Sequence, residues 1–538
     1  MKKILLSALA CLFTVGYASS QNQNQQETKL RIAFSAITQL YVDKADDKKI
    51  VEDAIRGILE KLDPHSSYTD AEETRRANEP LEAKFDGIGI QFNMLDDTLY
   101  VVQVIAGGPS EKVGLIAGDR IIKVDTTIIA GVKMWNNDVM KLIRGDKGTE
   151  VVVKVKRANI PELLDFKIIR DKIPVFSIDA SYMVDKKTGY IRLSRFAQTS
   201  IEEFDKALAE LRKEGLKNLI LDLQSNGGGL LHIACQLSDE FLNKGKLIVY
   251  TEGENSRRAE AIATERGMFE EGKLVILVDQ QSASASEIVA GAIQDWDRGV
   301  IAGRRTFGKG LVQRPIELPD SSMIRLTTAR YYTPSGRNIQ KPYEKGNNEA
   351  YTHEIIDRYN KGELMNADSI AFPDSLKYNT LLSQRTVYGG GGVMPDVYIP
   401  IDSTRNTEYH FKLVSYGIMP RMAMTYLDKH REELTGNYPD IKTYKAKFIV
   451  TDEILCDLNS MAAEEKIEFN EEQFIKSKDM ISLQLKALIA RDMFTMSEYF
   501  EIINDENKSV LEAVSIINDK GRYEKILLER QREGTAMR

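Results

Sequence analysis

The chain has little cysteine and little histidine, and a long apolar run occurs only at its amino terminus. Its 538 residues include three cysteines and five histidines. Cys235 and Cys456 lie far apart beyond that run, so a disulfide framework is not expected. The sequence contains no residues at metal-ligand spacing and no glycine-rich phosphate-binding loop. It therefore predicts a protein that needs neither a metal nor an organic cofactor.

The chain also lacks a basic excess. It carries 73 lysines and arginines against 80 aspartates and glutamates, a net charge of -7. Surfaces that bind nucleic acid usually carry an excess of positive charge, so nucleic acid is not expected as a partner. The composition, 42% hydrophobic and 28% charged, is that of a folded protein, and the length predicts several domains.

The amino terminus has the composition of an export signal. A basic start, MKK, precedes the apolar stretch ILLSALACLFTVGYA, and YASSQ offers small residues for cleavage near Ala18–Ser20. The apolar stretch is short for a membrane span, although a core helix or a retained anchor is the alternative. We expect residues 1–20 to be a signal peptide and the protein to be exported. The location would be periplasmic in a cell with an outer membrane.

Beyond the signal, the spacing of apolar residues predicts four regions of a multidomain α+β protein. Residues 27–80 show helical spacing, which predicts a helical cap. Residues 84–157 alternate β-branched residues, which predicts a small, partly open β-barrel. Residues 158–404 alternate strands with helices, which predicts an α/β core around a largely buried sheet. Residues 405–538 predict a charged helical domain.

One predicted strand-to-helix junction carries three serines at alternate positions. LVILVD precedes SASASE, and the apolar-periodic EIVAGAIQDW follows it. The first N–H groups of a helix lack intrahelical partners and could stabilise an oxyanion, and the glycines of LDLQSNGGG could supply a second donor. Ser282, Ser284 and Ser286 are therefore candidate nucleophiles. The alternative is a helix cap with small packing residues.

The residues alone leave the base open. His232 is the one histidine in the predicted α/β core, and a lone histidine on an apolar helix is more often structural. Lys309, between two glycines in TFGKG, is the other candidate. Burial lowers the pKa of a lysine, and Ser–Lys pairs are a variant of the catalytic triad. The alternative for Lys309 is a solvated loop lysine.

Several motifs, in order, resemble those of the carboxy-terminal processing proteases, also called tail-specific proteases. The core motifs are LILDLQSNGGGLL, SASASEIVAGAIQDWDRGVIAGRRTFGKGLVQ, ARYYTPSGRNIQ and GGVMPDV. FDGIGIQF, GGPSEKVGLIAGDRIIKVD and LIRGDKGTEV resemble the PDZ domain of that family, and LDPHSSY resembles its amino-terminal cap. The resemblance covers about residues 30–400. It implies a PDZ domain at 84–157 and a Ser–Lys protease core of the ClpP/crotonase type at 158–404.

The resemblance also implies which residues act. The nucleophile would be Ser284, which lies 25 residues before Lys309. Lys309 would take the serine proton and later protonate the leaving amine, and Gln313 would orient the lysine. Ser282 is then interpreted as a strand-end residue and Ser286 as a helix-start residue. Glu287 follows it, where a negative charge is stabilised by the positive end of the helix dipole.

The implied oxyanion donors are the N–H of Ala285 and that of Gly228 or Gly229. The segment before these glycines departs from the family. Gln224-Ser225-Asn226-Gly227 stands where the family often has Arg, Asn and Pro. The extra glycine predicts a more flexible oxyanion loop, which leaves its resting geometry open but does not change the chemistry.

The PDZ resemblance predicts a site for the carboxyl terminus of another chain. Such domains add the terminus as a strand to a sheet edge. Apolar residues on the following helix, Val139 and Leu142, would receive the last side chain. The terminal carboxylate would be held by backbone N–H groups of the loop Gly87, Ile88, Gly89 and Ile90. An ordinary hairpin edge is the alternative.

The sequence thus predicts an exported serine endopeptidase that recognises apolar, unstructured carboxyl termini and needs no cofactor. Protein or peptide substrates are the expected partners. An adaptor protein and assembly into a homo-oligomer through the helical regions are expected in addition. Two alternatives are a catalytically silent PDZ scaffold at the cell envelope and an acyl-CoA enzyme of related fold. The presence of Ser284, Lys309 and Gln313 argues against the scaffold, and the export signal with a PDZ insert argues against the acyl-CoA enzyme.

Overall fold

A computed structural model describes residues 25–528 except residues 96, 159 and 403. The predicted signal peptide and its cleavage point lie outside the described residues. Within the described part of the chain, no helix is long and apolar enough to cross a membrane. The chain divides into two compact units. The first contains residues up to Ala71 together with 314–327 and 343–351, and the second contains the others.

The amino-terminal part of the first unit contains two helices and a short strand: α1 (25–40), α2 (Asp47–Glu60) and β1 (Ser67–Thr69). The Asp46 carboxylate caps α2 by accepting a hydrogen bond from the Lys49 N–H at 3.1 Å. Strand β1 pairs antiparallel with Met323–Arg325. The Asp63 carboxylate accepts the Ser66 and Thr327 hydroxyls at 2.6 and 3.0 Å, which fixes the turn before β1.

The second unit starts with α3 (Ala71–Glu82) and a small barrel. The barrel elements are β2 (Lys84–Gly87), β3 (Ile90–Leu95), β4 (Thr98–Val104), α4 (Pro109–Lys112), β5 (Arg120–Val124), β6 (Thr127–Ile128), α5 (Asn136–Ile143), β7 (Glu150–Lys156), β8 (Leu164–Ile169) and β9 (Asp171–Pro174). The main sheet has the order β3-β4-β5-β7-β8, with β6 on β5, and β2 pairs with β9. Among the described strands, β3 pairs with β4 alone, so its other edge is open.

The alternating residues of the barrel strands lie on the two faces of the sheet, one buried and one more exposed. In β7, Val151, Val153 and Val155 are fully buried and the residues between them are not. Strand β8 pairs with β7 over six residue pairs, and β9 pairs with β2. The barrel therefore runs past residue 157, the predicted end of this region, because β8 joins its main sheet and β9 pairs with β2.

The next region contains β10 (Ile178–Met183), β11 (Thr188–Leu193), α6 (Ser200–Lys213), β12 (Asn218–Asp222), α7 (Leu231–Asp239), β13 (Leu247–Gly253), β14 (Ser256–Ile262), β15 (Leu274–Val278), α8 (Ala285–Asp295), β16 (Val300–Gly303), β17 (Leu311–Glu317), β18 (Met323–Tyr332), α9 (Asn348–Asn360), β19 (Lys377–Asn379), β20 (Thr386–Tyr388) and β21 (Val397–Tyr398). Short 3-10 turns cover Ala367–Ser369 and Asp374–Leu376. A six-stranded sheet of order β10-β11-β12-β15-β16-β21 forms its centre. All of its strand pairs are parallel except β10 with β11.

Both faces of this sheet are covered, which explains the continuous apolar runs of its central strands. All five residues of β15, LVILV, are buried, as expected for a parallel strand between two layers. Helices α6, α7 and α8 pack on one face around Leu221, Ile276 and Val289. The resulting α/β architecture places the carboxyl ends of β12 and β15 side by side, where their loops meet. The predicted α+β class is confirmed.

The remaining helices are α10 (Glu408–Ser415), α11 (Ile418–Asn437), α12 (Ile441–Lys447), α13 (Asp452–Glu464), α14 (Glu471–Met493), α15 (Met496–Ile503), α16 (Lys508–Asn518) and α17 (Arg522–Leu528). Helices α10 to α15 share a core of their own around Leu427, Leu458 and Leu485. Helices α16 and α17 instead cover the second face of the six-stranded sheet, where Ile516 packs with Ile220 and Val275. The carboxy-terminal helices thus divide between two cores.

Helix α11 also contacts the barrel. Met424 packs with Leu95, Tyr100 and Val102 in a small buried cluster. The Arg431 guanidinium donates to the Tyr100 hydroxyl at 3.1 Å. The helical bundle therefore holds the barrel on the side formed by β4.

Candidate active site

The three serines of SASASE have different environments in the structure. Ser282 and Ser286 are fully buried, whereas Ser284 is partly exposed. Ser284 has φ +55° and ψ -109°, a backbone conformation that costs a residue with a side chain about 1–3 kcal/mol. This strained turn between β15 and α8 points Ser284 outward, and it points Ser282 and Ser286 inward.

The two inner serines tie neighbouring loops together. The Ser282 hydroxyl donates to the Leu223 carbonyl at 2.8 Å, and the Ser286 hydroxyl donates to the Asn226 carbonyl at 2.9 Å. Both acceptors belong to the loop after β12. These bonds hold that loop against the junction that carries Ser284, so both hydroxyls serve the architecture of the site.

Glu287 joins the serine turn to the lysine loop. Its carboxylate is fully buried and accepts four hydrogen bonds. The donors are the Ser284 N–H at 2.8 Å, the Gly308 N–H at 2.7 Å, the Lys309 N–H at 2.9 Å and the Thr306 hydroxyl at 2.6 Å. One side chain thereby fixes the backbone of Ser284 and Lys309 relative to each other.

Burial also changes the acidity of this carboxyl. Loss of hydration raises the pKa of Glu287 to about 7, and its four hydrogen-bond donors oppose the shift. The ionised form is the one that accepts from all four donors. The sequence interpretation treated Glu287 only as a favourable charge at a helix start. An acidic residue at the head of an otherwise apolar helix was the signal that it is buried and bonded.

The lysine loop is held from a second side by Tyr331. The Tyr331 hydroxyl lies 3.1 Å from the Ser284 carbonyl oxygen and also within hydrogen-bonding distance of the Lys309 carbonyl oxygen. The Gly310 N–H donates to the Gln340 side-chain oxygen at 2.9 Å. Lys309 itself is partly exposed, and Gln313 follows it on β17, also partly exposed.

A buried arginine from α9, which the sequence interpretation missed, completes the support of this loop. The Arg358 guanidinium donates to the Arg305 carbonyl at 2.7 Å and to the Thr306 carbonyl at 3.1 Å. The Lys341 N–H donates to the Gly308 carbonyl at 2.9 Å, and its buried ammonium lies 4.1 Å from the Phe307 ring centre. Nothing in the local sequence around Arg358 signals this contact, because it depends on how α9 packs.

The predicted oxyanion glycines lie against the serine turn. A Cβ atom on Gly228, which has φ +101°, would stand 2.9 Å from the Ser284 Cβ and 3.0 Å from the Ala285 nitrogen. Only glycine allows this approach. The Gly228 N–H donates to the Asn226 side-chain oxygen at 2.9 Å, whereas no acceptor meets the Gly229 N–H in the described part of the chain. Of the two glycines, Gly229 therefore offers the open donor in this arrangement.

Hydrogen bonds also anchor the unusual segment before these glycines. The Asn226 amide donates to the Leu193 carbonyl at 2.8 Å, and the Ser225 N–H donates to the Asp279 carboxylate at 3.0 Å. Ala285 begins α8, so its N–H has no intrahelical acceptor. His232, the rejected base, is exposed on α7.

The predicted peptide loop connects β2 to β3. Gly89 has φ +78°, and a Cβ there would stand 3.0 Å from the Ile173 Cδ1. The Ile88 carbonyl accepts from the Ser110 N–H and hydroxyl, which fixes the loop. On α5, Val139 is fully buried in the barrel core and Leu142 is partly buried. The loop leads directly into β3, whose other edge is open among the described strands.

Comparisons with known protein families match four stretches of the chain. Residues 187–346 match peptidase family S41, and residues 87–168 match the PDZ domain. Residues 14–73 match the N-terminal domain of the activating protease CtpB. Residues 409–495, which form most of the helical bundle, match a family of unknown function.

Individual proteins show the same relationship. The chain is 38% identical over 344 residues to a carboxy-terminal-processing protease of Bartonella bacilliformis, covering 63% of this chain and 78% of that one. It is 37% identical over 345 residues to the carboxy-terminal processing protease CtpA of Bacillus subtilis, covering 63% and 73%. Among solved structures, the photosystem II D1 C-terminal processing protease is 29% identical, with a TM-score of 0.33 over 58% of this chain and 89% of that one.

Proposed function

The chain belongs to the carboxy-terminal processing proteases of peptidase family S41, and we propose on this basis that it hydrolyses peptide bonds with a Ser284–Lys309 dyad. The family is that of a serine protease with a PDZ domain. The observation that carries the dyad is the Glu287 carboxylate, which bonds the backbone N–H of both residues. Ser284 is also the partly exposed serine of the three.

The chemistry follows from these positions. The Ser284 Oγ attacks the substrate carbonyl carbon while the neutral Lys309 amine takes the hydroxyl proton. The N–H groups of Ala285 and Gly229 stabilise the oxyanion of the tetrahedral intermediate. Lys309 then gives the proton to the leaving amine, which leaves an acyl-enzyme that water hydrolyses. Gln313 orients the lysine amine.

Recognition of an apolar, unstructured carboxyl terminus is assigned to the barrel. The substrate tail adds as a strand to the open edge of β3, and the N–H groups of the loop from Gly87 to Ile90 hold its carboxylate. Binding of the tail delivers the upstream segment to Ser284. Export to the periplasm, through a signal peptide at residues 1–20, would bring the enzyme to substrates of the cell envelope.

Assembly through the helical regions is part of the same proposal. Helix α1 exposes Ile32 and Leu40, which are 63% and 80% accessible. Exposed apolar faces of this kind favour association with a second copy of the chain. An adaptor protein would bind to the helical bundle. The rival function, a silent scaffold, predicts tail binding without cleavage.

The test is cleavage of an unfolded protein with an apolar tail by the wild type, Ser284→Ala, Lys309→Ala and Ser286→Ala, with a charged-tail substrate in parallel. We expect loss of activity of about 10³-fold or more in the first two variants, because each removes a reacting group. Ser286→Ala is the matched comparison, since it deletes a buried hydroxyl that supports the loop after β12 but no reacting group, and it should lower cleavage far less than the other two variants. Four equally inert proteins that still bind the tail would favour the scaffold.

A further inference from the structure

The start of α5 carries an exposed aromatic side chain beside a cavity. Trp135 is 80% exposed, an unusual environment for one of the two tryptophans in the chain. It lines a cavity of about 300 Å³ together with Met94 at the end of β3, Met134, Asp97 and the two asparagines that begin α5. Tryptophan and methionine side chains around a concave surface suit a large apolar group.

Hydrogen bonds build this cavity. The Gly131 N–H donates to the Asp97 carbonyl at 2.9 Å, and the Lys133 N–H donates to the Asp97 carboxylate at 2.7 Å. Asp97 and Lys133 both have positive φ, +55° and +53°. The loop that carries Met134 and Trp135 is therefore tied to the turn that follows Met94. The two walls of the cavity are held together before any ligand arrives.

The strand register places the cavity at a defined distance from the predicted carboxylate loop. A tail that adds antiparallel to β3, with its carboxylate at the loop ending at Ile90, runs toward Met94. Four steps along a strand of about 3.3 Å rise amount to about 13 Å. Side chains on one face of a strand repeat every second residue. The last, third-from-last and fifth-from-last side chains of the tail thus face the same way.

Helix α5 gives the same distance independently. Its eight residues span about 12 Å. Its carboxyl end lies at the loop, since a Cβ on Gly87 would stand 3.9 Å from the Arg144 Cγ. Its amino end is Trp135. If the last side chain of the tail meets the carboxyl end of α5, the fifth-from-last meets Trp135.

We propose that Trp135, Met94 and Met134 form a subsite for a large aliphatic or aromatic side chain at the fifth position from the carboxyl terminus of the substrate. This inference rests on the proposed tail recognition and adds a second specificity determinant to it. The enzyme then distinguishes tails that share their last residues but differ upstream. A serine or glycine at that position leaves Trp135 in water and forgoes the burial of both apolar surfaces.

The test uses Trp135 as its own probe. Ser284→Ala enzyme is titrated with two decapeptides that end in the same four apolar residues and carry phenylalanine or serine at the fifth position from the end. We expect the phenylalanine peptide to bind about tenfold tighter and to shift the tryptophan emission to shorter wavelength. Trp135→Ala, made in the same Ser284→Ala enzyme, should bind both peptides equally. Its affinity should equal that of the enzyme with Trp135 intact for the serine peptide.

Controls separate this inference from the broader proposal. Leu163→Ala removes an exposed apolar residue beside β8, at the opposite edge of the sheet, and should keep the tenfold preference. Met94→Gln, a second variant in the subsite, should reduce the preference if Trp135→Ala proves unstable. Equal binding of the two peptides by the Ser284→Ala enzyme, or a preference that survives Trp135→Ala, overturns the subsite. If neither peptide binds, tail recognition by the barrel fails, and the subsite fails with it.

Discussion

The serine turn and the barrel groove differ in how they are built for the tasks proposed for them. At the serine turn, backbone groups of two loops converge on one buried carboxylate, and the two serines beside Ser284 are fully enclosed. In the groove, one edge of β3 has no strand beside it among the described residues, and Trp135 is 80% exposed.

Catalysis and peptide recognition place different structural requirements on these two regions. A reaction needs atoms held in one arrangement, since misplacing a catalytic group by about 1 Å can cost about 10²-fold in rate. Peptide recognition by strand addition needs unpaired donors and acceptors that a ligand can complete. Perturbing the serine turn should therefore lower the turnover number. Perturbing the groove should instead change the affinity for the tail.

The largest expected effect comes from Glu287→Gln. A glutamine offers one oxygen acceptor and places an NH₂ donor among four donors, so at least two hydrogen bonds are lost. We expect kcat to fall about 10²-fold with KM nearly unchanged. The measurement is steady-state cleavage, with Glu271→Gln as control because Glu271 is exposed. A large rise in KM with unchanged kcat would contradict this expectation, since a residue of the serine turn would then govern substrate binding.

The effect of Glu287→Gln on stability should depend on pH. The pKa of Glu287 is about 7 in the folded protein against 4.5 for an ordinary glutamate. The folded protein holds this proton more tightly, so the stability gained is fully present below pH 4.5 and is lost as pH rises through 7. Glutamine does not titrate. Urea unfolding should show that Glu287→Gln is more destabilising at pH 5 than at pH 8, and an equal difference at both would contradict the raised pKa of Glu287.

A smaller effect is expected in the groove from Gly89→Ala. Its positive φ costs alanine about 1 kcal/mol, and the new methyl group crowds Ile173 and Pro109. Gly107→Ala is the matched control, since Gly107 has φ +73° with open space around it. Both variants should lose the stability that a positive φ costs alanine, and Gly89→Ala should lose more because of the crowding. Only Gly89→Ala should weaken tail binding, about fivefold by peptide titration. A loss of kcat in Gly89→Ala at saturating substrate would contradict the expectation that the groove affects only the affinity for the tail.

The smallest effect is expected where the helical bundle meets the barrel. Asp428 on α11 forms an ion pair with Arg120 at 2.5 Å, and both side chains are partly exposed. Exposed ion pairs contribute less than about 1 kcal/mol. Asp428→Ala should lower the unfolding free energy by less than that and leave kcat unchanged. The control is Glu408→Ala, which removes an exposed ion pair with Lys412 within the bundle. A marked loss of tail selectivity would show that α11 tunes the groove.

Much of the site was predictable because its signals are local. The alternating serines between a buried strand and an apolar helix marked the junction, and the glycines after β12 marked a close backbone approach. Ser284, Ser282 and Ser286 could not be separated by pattern alone, since all three are the same residue type at the same junction. Resemblance selected Ser284, and this assignment stays a prediction; in the structure Ser284 is the partly exposed serine of the three.

The order and class of the elements can be predicted from local sequence. Period-2 spacing, helical spacing and all-apolar runs such as LVILV depend only on neighbours along the chain. Which distant groups meet depends on how the layers pack in three dimensions. Arg358 reaches the lysine loop from 49 residues beyond Lys309, and α16 covers a sheet whose strands ended about a hundred residues earlier. Such contacts follow from the packing of whole layers. No local pattern encodes them, because the burial that stabilises them exists only once the layers have come together.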